Sequence, residues 1–406
     1  MEFQVYELPS GIRCIMRRVK SAVVYSSLTV NVGTRDEKED EHGVAHLIEH
    51  LMFKGTERRK IYHINSLLDN VGGELNAYTS KEETVVHSTV LKKDFVKAVD
   101  LISDIIFHST YPEKEFSKEI GVIIDEINAY RDSPSDLIFD DFEDLVFAGS
   151  SLGRNILGTK QRLHKCTREG VVNFIESNYA TDKMVFAVVG NISFDRFKTL
   201  CDKYLGDVPK RSCSAVRVLP PEYIPTDKTI DKHTFQTHSI IGSRAPSFCD
   251  KKRIPLTLLL NILGGSSANS RLSLVLREKY GLTYNVESNL TTYQDTGLWS
   301  IYFSADAANV AKCRDLIRQE LDVMMRSKLT RIQLHTAQRQ LIGQMTISSE
   351  SGENYMLSAA RSFMLYGTVQ SNEEIANTIN SITADEVLSV ANEFFREENL
   401  STLTYR

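Results

Sequence analysis

Val23-Val24-Tyr25-Ser26-Ser27-Leu28-Thr29-Val30 is followed, after a polar stretch, by His42-Gly43-Val44-Ala45-His46-Leu47-Ile48-Glu49-His50-Leu51-Met52-Phe53. The first run alternates as a β-strand does, and the second spaces its apolar residues as a helix does. A second helical pattern at 61–70 and a glycine break lead to Gly73-Glu74-Leu75-Asn76-Ala77-Tyr78, which reads as a strand. A strand at 84–91, a long helix at 93–107, a helix at 171–179 and a strand at 184–189 complete this half. The succession then returns: strand 235–241, helices 255–263 and 271–279, strands 281–286 and 298–304, helix 310–325, helix 384–395 and strand 401–404. Strands in a run with helices segregated from them imply an α+β fold. We expect two similar α/β sandwich domains, each an antiparallel-rich sheet with helices packed on it.

Four of the nine prolines, Pro209, Pro220, Pro221 and Pro225, fall in one polar stretch with Cys213 and Ser214. Proline fixes φ and removes a donor, which suits an extended linker. The expected organisation is therefore a first domain at 1–208, a linker at 209–232 and a second domain at 233–406. A chain of 406 residues, 42% apolar and 25% charged, buries an ample core without disulfides. The net charge of −5 is too mild to argue for a nucleic-acid or membrane-surface partner. The six cysteines form no C-x-x-C pair and read as free thiols in a reducing compartment. Met1-Glu2-Phe3-Gln4-Val5 lacks the pattern of a secretory signal, and no apolar run reaches membrane length. The expected location is cytoplasmic, with no membrane partner.

On a helix turning about 100° per residue, Glu49 lies about 300° and His50 about 40° from His46. The three side chains share one arc, so two imidazoles four residues apart can meet one ion, with a carboxylate beside them. The order H-x-x-E-H is the inverted zinc-peptidase arrangement. A catalytic zinc commonly takes three protein ligands and leaves a position open, so a third ligand must come from elsewhere. The segment 112–130 reads as a strong helix, with Pro112 in its first turn and an apolar stripe of Phe116, Ile120, Ile123, Ile124 and Ile127. Glu119 and Glu126, seven residues apart, lie nearly on one face, and Asp125 is a weaker competitor. Either glutamate in isolation reads better as a solvated side chain than as a ligand. His42 stands four residues before His46, but Gly43 argues against a helix start there, and His63, His87 and His108 are scattered without metal spacing. The glycine pairs Gly72-Gly73 and Gly264-Gly265 lack phosphate-loop spacing and read as breaks.

With these residues in place, the chain resembles the pitrilysin/insulinase family of zinc peptidases over nearly its whole length. Within that family it is similar to the short-chain branch that includes the mitochondrial processing peptidases and bacterial homologues. Asn31-Val32-Gly33-Thr34-Arg35, the segment from His46 to Thr56, Gly72–Thr79 and Ser151–Thr159 carry the resemblance in the first half. Ser270-Arg271-Leu272 and the segment from Leu276 to Tyr284 carry it in the second. The resemblance implies a third ligand 76 positions past His50, which is Glu126, and a supporting acid seven positions earlier, which is Glu119. It implies a substrate-binding edge strand through Glu74, Asn76 and Ala77. It also implies that Arg277 and Tyr284 stabilise the oxyanion, and that the second half is a metal-free pseudo-repeat completing the active site. The activity implied is a zinc metalloendopeptidase acting on unfolded or extended peptides, with one zinc per chain and Glu49 as general base. The expected assembly is a homodimer, with a heterodimer with a related subunit as the other arrangement. The main rival is a non-catalytic scaffold subunit of the same fold. A purely structural zinc site is a lesser one, because such sites are normally closed by four ligands.

Overall fold

The computed structural model describes residues 3–213 and 216–406. The first residues of the N-terminal stretch (Met1, Glu2), together with Ser214 and Ala215 of the expected linker, lie outside them. Two sheets organise the chain. The first holds β1 (Gln4–Glu7), β2 (Arg13–Arg18), β3 (Val23–Val30), β4 (Glu74–Thr79), β5 (Thr84–Leu91) and β6 (Met184–Gly190), in the order β1-β2-β6-β3-β5-β4. The second holds β7 (Asp227–Ile230), β8 (Thr237–Ala245), β9 (Asn285–Thr292), β10 (Gly297–Ala305) and β11 (Ser401–Tyr405), in the order β7-β11-β8-β10-β9. Remove β1 and the two orders are the same. In each sheet one parallel pair, β2 with β6 and β7 with β11, sits among antiparallel ones. The repeated succession of periods in the sequence is thus a repeated topology: two α+β sandwiches.

Both faces of each sheet are apolar. In β6 every residue is buried, and side chains alternate between faces along a strand. Phe186 and Val188 face a core with Val99, Ile102 and Ile106 of one helix, Phe95–His108, and Phe197 of another, Phe194–Leu205. Val185, Ala187 and Val189 face Met356, Ala359, Ala360 and Phe363 of the helix Gly352–Tyr366. The second sheet repeats the pattern. Ile241, Trp299, Ile301 and Phe303 pack on the helices Arg253–Gly264, Val310–Arg326 and Ala384–Phe394. Ile240, Leu403 and Tyr405 pack on Ile138 and Phe142 of the helix Pro134–Val146.

The compact units therefore differ from a contiguous division at 208 and 233. One comprises Met1–Asn128, Arg154–Val218 and Ser348–Gln370; the other comprises Ala129–Gly153, Leu219–Ile347 and Ser371–Arg406. The reason is the second apolar face of each sheet, which a helix from the other half of the sequence covers. Three local expectations also change. Part of the expected linker is β7, paired to β11. Arg217, also in that stretch, is held by the Asp36 carboxylate and the Glu82 carbonyl. The strand expected at 281–286 begins only at Asn285, because the Thr283 hydroxyl donates to the Ser304 carbonyl and holds the preceding residues as a loop. The helix expected at 271–279 forms over Ser273–Lys279 with the wider π turn.

A fragment ending at residue 208 lacks the helix that covers Ile15, Val185, Ala187 and Val189. It is expected to bind a hydrophobic dye strongly and to self-associate in sedimentation, while the full chain does neither. A monomeric fragment with native near-UV dichroism would show that this face needs no cover.

Candidate metal centre

Two helices of the first unit build the site: α1 (Val44–Met52) and α2 (Glu113–Arg131). On α1, Val44, Ala45, Leu47, Ile48, Leu51 and Met52 are buried in the core. That apolar face fixes the rotation of α1 and leaves His46, Glu49 and His50 on the remaining, half-buried arc. On α2, burial of Phe116, Ile120, Ile123 and Ile127 likewise turns Glu119 and Glu126 toward α1. Glu119 is itself buried, whereas Glu126 is half-buried.

His46 Nε2 lies 4.0 Å from Glu126 Oε2, and His50 Nε2 lies 3.6 Å from Glu126 Oε1. Both separations are too long for hydrogen bonds. Atoms each about 2.0–2.2 Å from one zinc in tetrahedral geometry would be roughly 3.4 Å apart. The two separations exceed that by roughly 0.2 and 0.6 Å, so the donor set suits an ion of that size once the side chains close on it. One ligand atom from each of His46, His50 and Glu126 falls within 4.8 Å of the others, the one such cluster among the described residues. Burial, with His50 as a lesser cause, pushes His46 down to about 4, which keeps its imidazole neutral and its lone pair available. On its other side His50 Nδ1 meets Glu119 Oε2 at 3.4 Å, and Glu119 Oε1 pairs with Lys54 Nζ at 2.8 Å. The Glu119 carboxylate thus turns the His50 Nδ1–H toward itself and Nε2 toward the cluster. Glu49 is pushed up by burial, against the opposing pull of Thr79 at the end of β4 and of His50.

The structure brings His46, Glu49, His50, Glu119 and Glu126 together. Glu74, Asn76 and Ala77 lie on β4, the last strand of its sheet, with Glu74 and Asn76 exposed. Arg277 and Tyr284 belong to the second unit. Arg277 pairs with the neighbouring Glu278 at 2.9 Å, and Tyr284 is exposed just before β9. The other histidines have separate partners or are exposed: His42 meets the Asn155 carbonyl, His87 pairs with Glu353, and His63 lies in solvent. Asp125 also points to solvent. Lys54 was not singled out in the sequence. Its position four residues after His50, in the turn just past the end of α1, is the signal that would have found it.

Residues 14–160 match the family model described as insulinase, peptidase family M16, and residues 165–341 match the peptidase M16 inactive domain. An uncharacterized zinc protease of Bacillus subtilis, YmxG, is 31% identical over 97% of this chain and 96% of its own length. An uncharacterized zinc protease of Rickettsia felis is 30% identical over 99% of this chain and 97% of its own length. The chain belongs to the insulinase family, peptidase family M16. Among solved structures, a protease from Helicobacter pylori superposes with a TM-score of 0.93 at 19% identity, covering 100% of this chain and 99% of that one. A peptidase M16 inactive domain from Pseudomonas fluorescens gives 0.91 at 18% identity, covering 100% and 98%. These two likenesses speak for the fold.

The start of α1 depends on a close backbone contact. Gly43 has φ of 96° and Gly158 has φ of 75°. A Cβ on Gly158 would lie 2.6 Å from the Gly43 Cα. Gly158→Ala is expected to cost about 1–3 kcal/mol and to lower Tm by several degrees. Gly72→Ala, at φ of 69° with no atom within 4 Å of the added Cβ, is expected to cost less. Equal melting temperatures for the two variants would refute the contact.

Proposed function

We propose that this chain is a zinc metalloendopeptidase that cleaves unfolded or extended peptides, holding one ion through His46, His50 and Glu126. The observation that carries the reading is the convergence of two imidazoles and a carboxylate at ion-sharing distances, with Glu49 beside them. Its support from relatives is that proteins of the same length and family are named zinc proteases. When bound, the ion supplies Lewis-acid polarisation of the scissile carbonyl.

The chain's own residues do the rest. Glu49 takes the proton of the attacking water and passes it to the leaving amine. Glu119, anchored by Lys54, orients His50. The open edge of β4 offers backbone groups to an extended peptide, which would add as a strand. There the Ala77 amide bonds the exposed Asn76 Oδ1 at 3.3 Å, a local contact that a peptide carbonyl would replace. Backbone recognition of this kind favours unfolded segments over folded proteins. The oxyanion role of Arg277 and Tyr284 rests on the family resemblance alone. The homodimer and the cytoplasmic location rest on sequence reasoning. Among the described residues no helix is long and apolar enough to cross a membrane.

The test is hydrolysis of an unstructured quenched-fluorescent peptide by the wild type and by Glu49→Gln at matched zinc content. The variant is expected to retain zinc and to lose about 10²–10⁴ in kcat. A wild-type chain that binds no zinc would favour a scaffold role instead. Separately, Ala77→Pro is expected to raise KM severalfold with kcat little changed. An unchanged KM would remove the edge-strand mode.

A further inference from the structure

The first turn of an α-helix has amide groups without intrahelical partners, and a side chain at the N-cap usually accepts from one of them. In α1 the N-cap is Gly43, which has no side chain to do so. The acceptor comes from six residues upstream. Glu37 Oε2 accepts from the Gly43 amide at 3.1 Å, and Glu37 Oε1 accepts from the Ala45 amide at 2.8 Å. Only 4% of Glu37 is exposed, so both bonds lie away from water.

Glu37 is itself tied to the sheet. The Arg35 amide donates to the Lys81 carbonyl at 2.8 Å, and the Thr34 amide to the Ser80 carbonyl at 3.1 Å. The turn Thr34–Asp36 is thereby fixed to the hairpin between β4 and β5. Arg154 Nη1 donates to the Glu37 carbonyl at 3.0 Å and holds the residue from its other side. The carboxylate is therefore a fixed point that ties the first turn of α1 to the β4–β5 hairpin. His46 is the third residue of α1 and lies in that first turn. Fraying of one turn would carry His46 away, while His50, deeper in the helix, would stay.

We infer that Glu37 is a positioning residue for the metal centre: it caps α1 at a distance and so sets the place of His46 relative to His50 and Glu126. The inference rests on the proposed metal site for one of its two readouts and is independent of it for the other.

The experiment compares wild type, Glu37→Leu and Glu37→Gln, all in the full chain. Leucine keeps bulk in the buried position and removes both acceptors; glutamine keeps one. Hydrogen exchange over 43–53 is measured in metal-free protein, and zinc dissociation constants by competition with a chelating dye. Loss of a cap of ordinary strength corresponds to a change on the order of tenfold. Glu37→Leu is expected to speed exchange in α1 by about that factor, to leave the β-strands of the unit unchanged, and to weaken zinc binding similarly. Glu37→Gln is expected to fall between the two on both measures, and it decides the matter if the leucine variant does not fold. Exchange in α1 equal to wild type, or exchange raised equally across the whole unit, would overturn the assignment. A wild-type chain that binds no zinc would remove the metal reading, and the exchange data would still decide the cap.

Discussion

A sheet that is apolar on both faces needs two layers of cover, and most of this architecture follows from that requirement. β6 is the clearest case, since Phe186 and Val188 point into one core while Val185, Ala187 and Val189 point into another. Each apolar side chain taken from water contributes roughly 1.5–3 kcal/mol, so neither face can be left bare at modest cost. The helices that follow the strands in sequence cover one face of each sheet. The other face takes a helix from the opposite half of the chain: Gly352–Tyr366 on the first sheet and Pro134–Val146 on the second.

The same sorting of apolar from polar residues builds the candidate site. α1 buries six apolar residues, which leaves its polar arc as the one place for His46, Glu49 and His50. α2 is oriented by its own stripe and brings two glutamates two turns apart to the same arc. The two carboxylates then take different parts. Glu126, half-buried, lies within ion-sharing distance of both imidazoles, whereas the buried Glu119 is paired with Lys54 and grips the far side of His50. What separates them is depth in the packing, since a buried carboxylate needs a charged partner and a half-buried one does not.

Much of this was legible in the residues. The strands at 23–30 and 84–91 form over the expected residues, because period-two alternation is a local property of the chain. The helix carrying H-x-x-E-H, and the helix that brings Glu119 and Glu126 to it, were legible for the same reason. The strand expected at 281–286 was displaced by a contact its own pattern does not contain, the hydroxyl bond from Thr283 to the Ser304 carbonyl. The helix Pro134–Val146 was not among the expected elements, although it has a proline start and an apolar stripe. Which sheet it covers was not legible, because any apolar stripe fits any apolar face until the chain is closed.

The sequence by itself carried the resemblance to the family in its motifs, and it determined the repeated order of strands and helices and the short-range geometry of His46, Glu49 and His50, since these last two reside in local periodicity and spacing. The resemblance implied parts for Glu126 and Glu119, but only the tertiary structure decided that Lys54 braces Glu119 against His50 and that a carboxylate six residues upstream caps a helix whose own N-cap is glycine. It also decided which helix covers which sheet. Apart from the cap, these are contacts between segments tens to hundreds of residues apart, and all of them depend on burial and packing that no local pattern records.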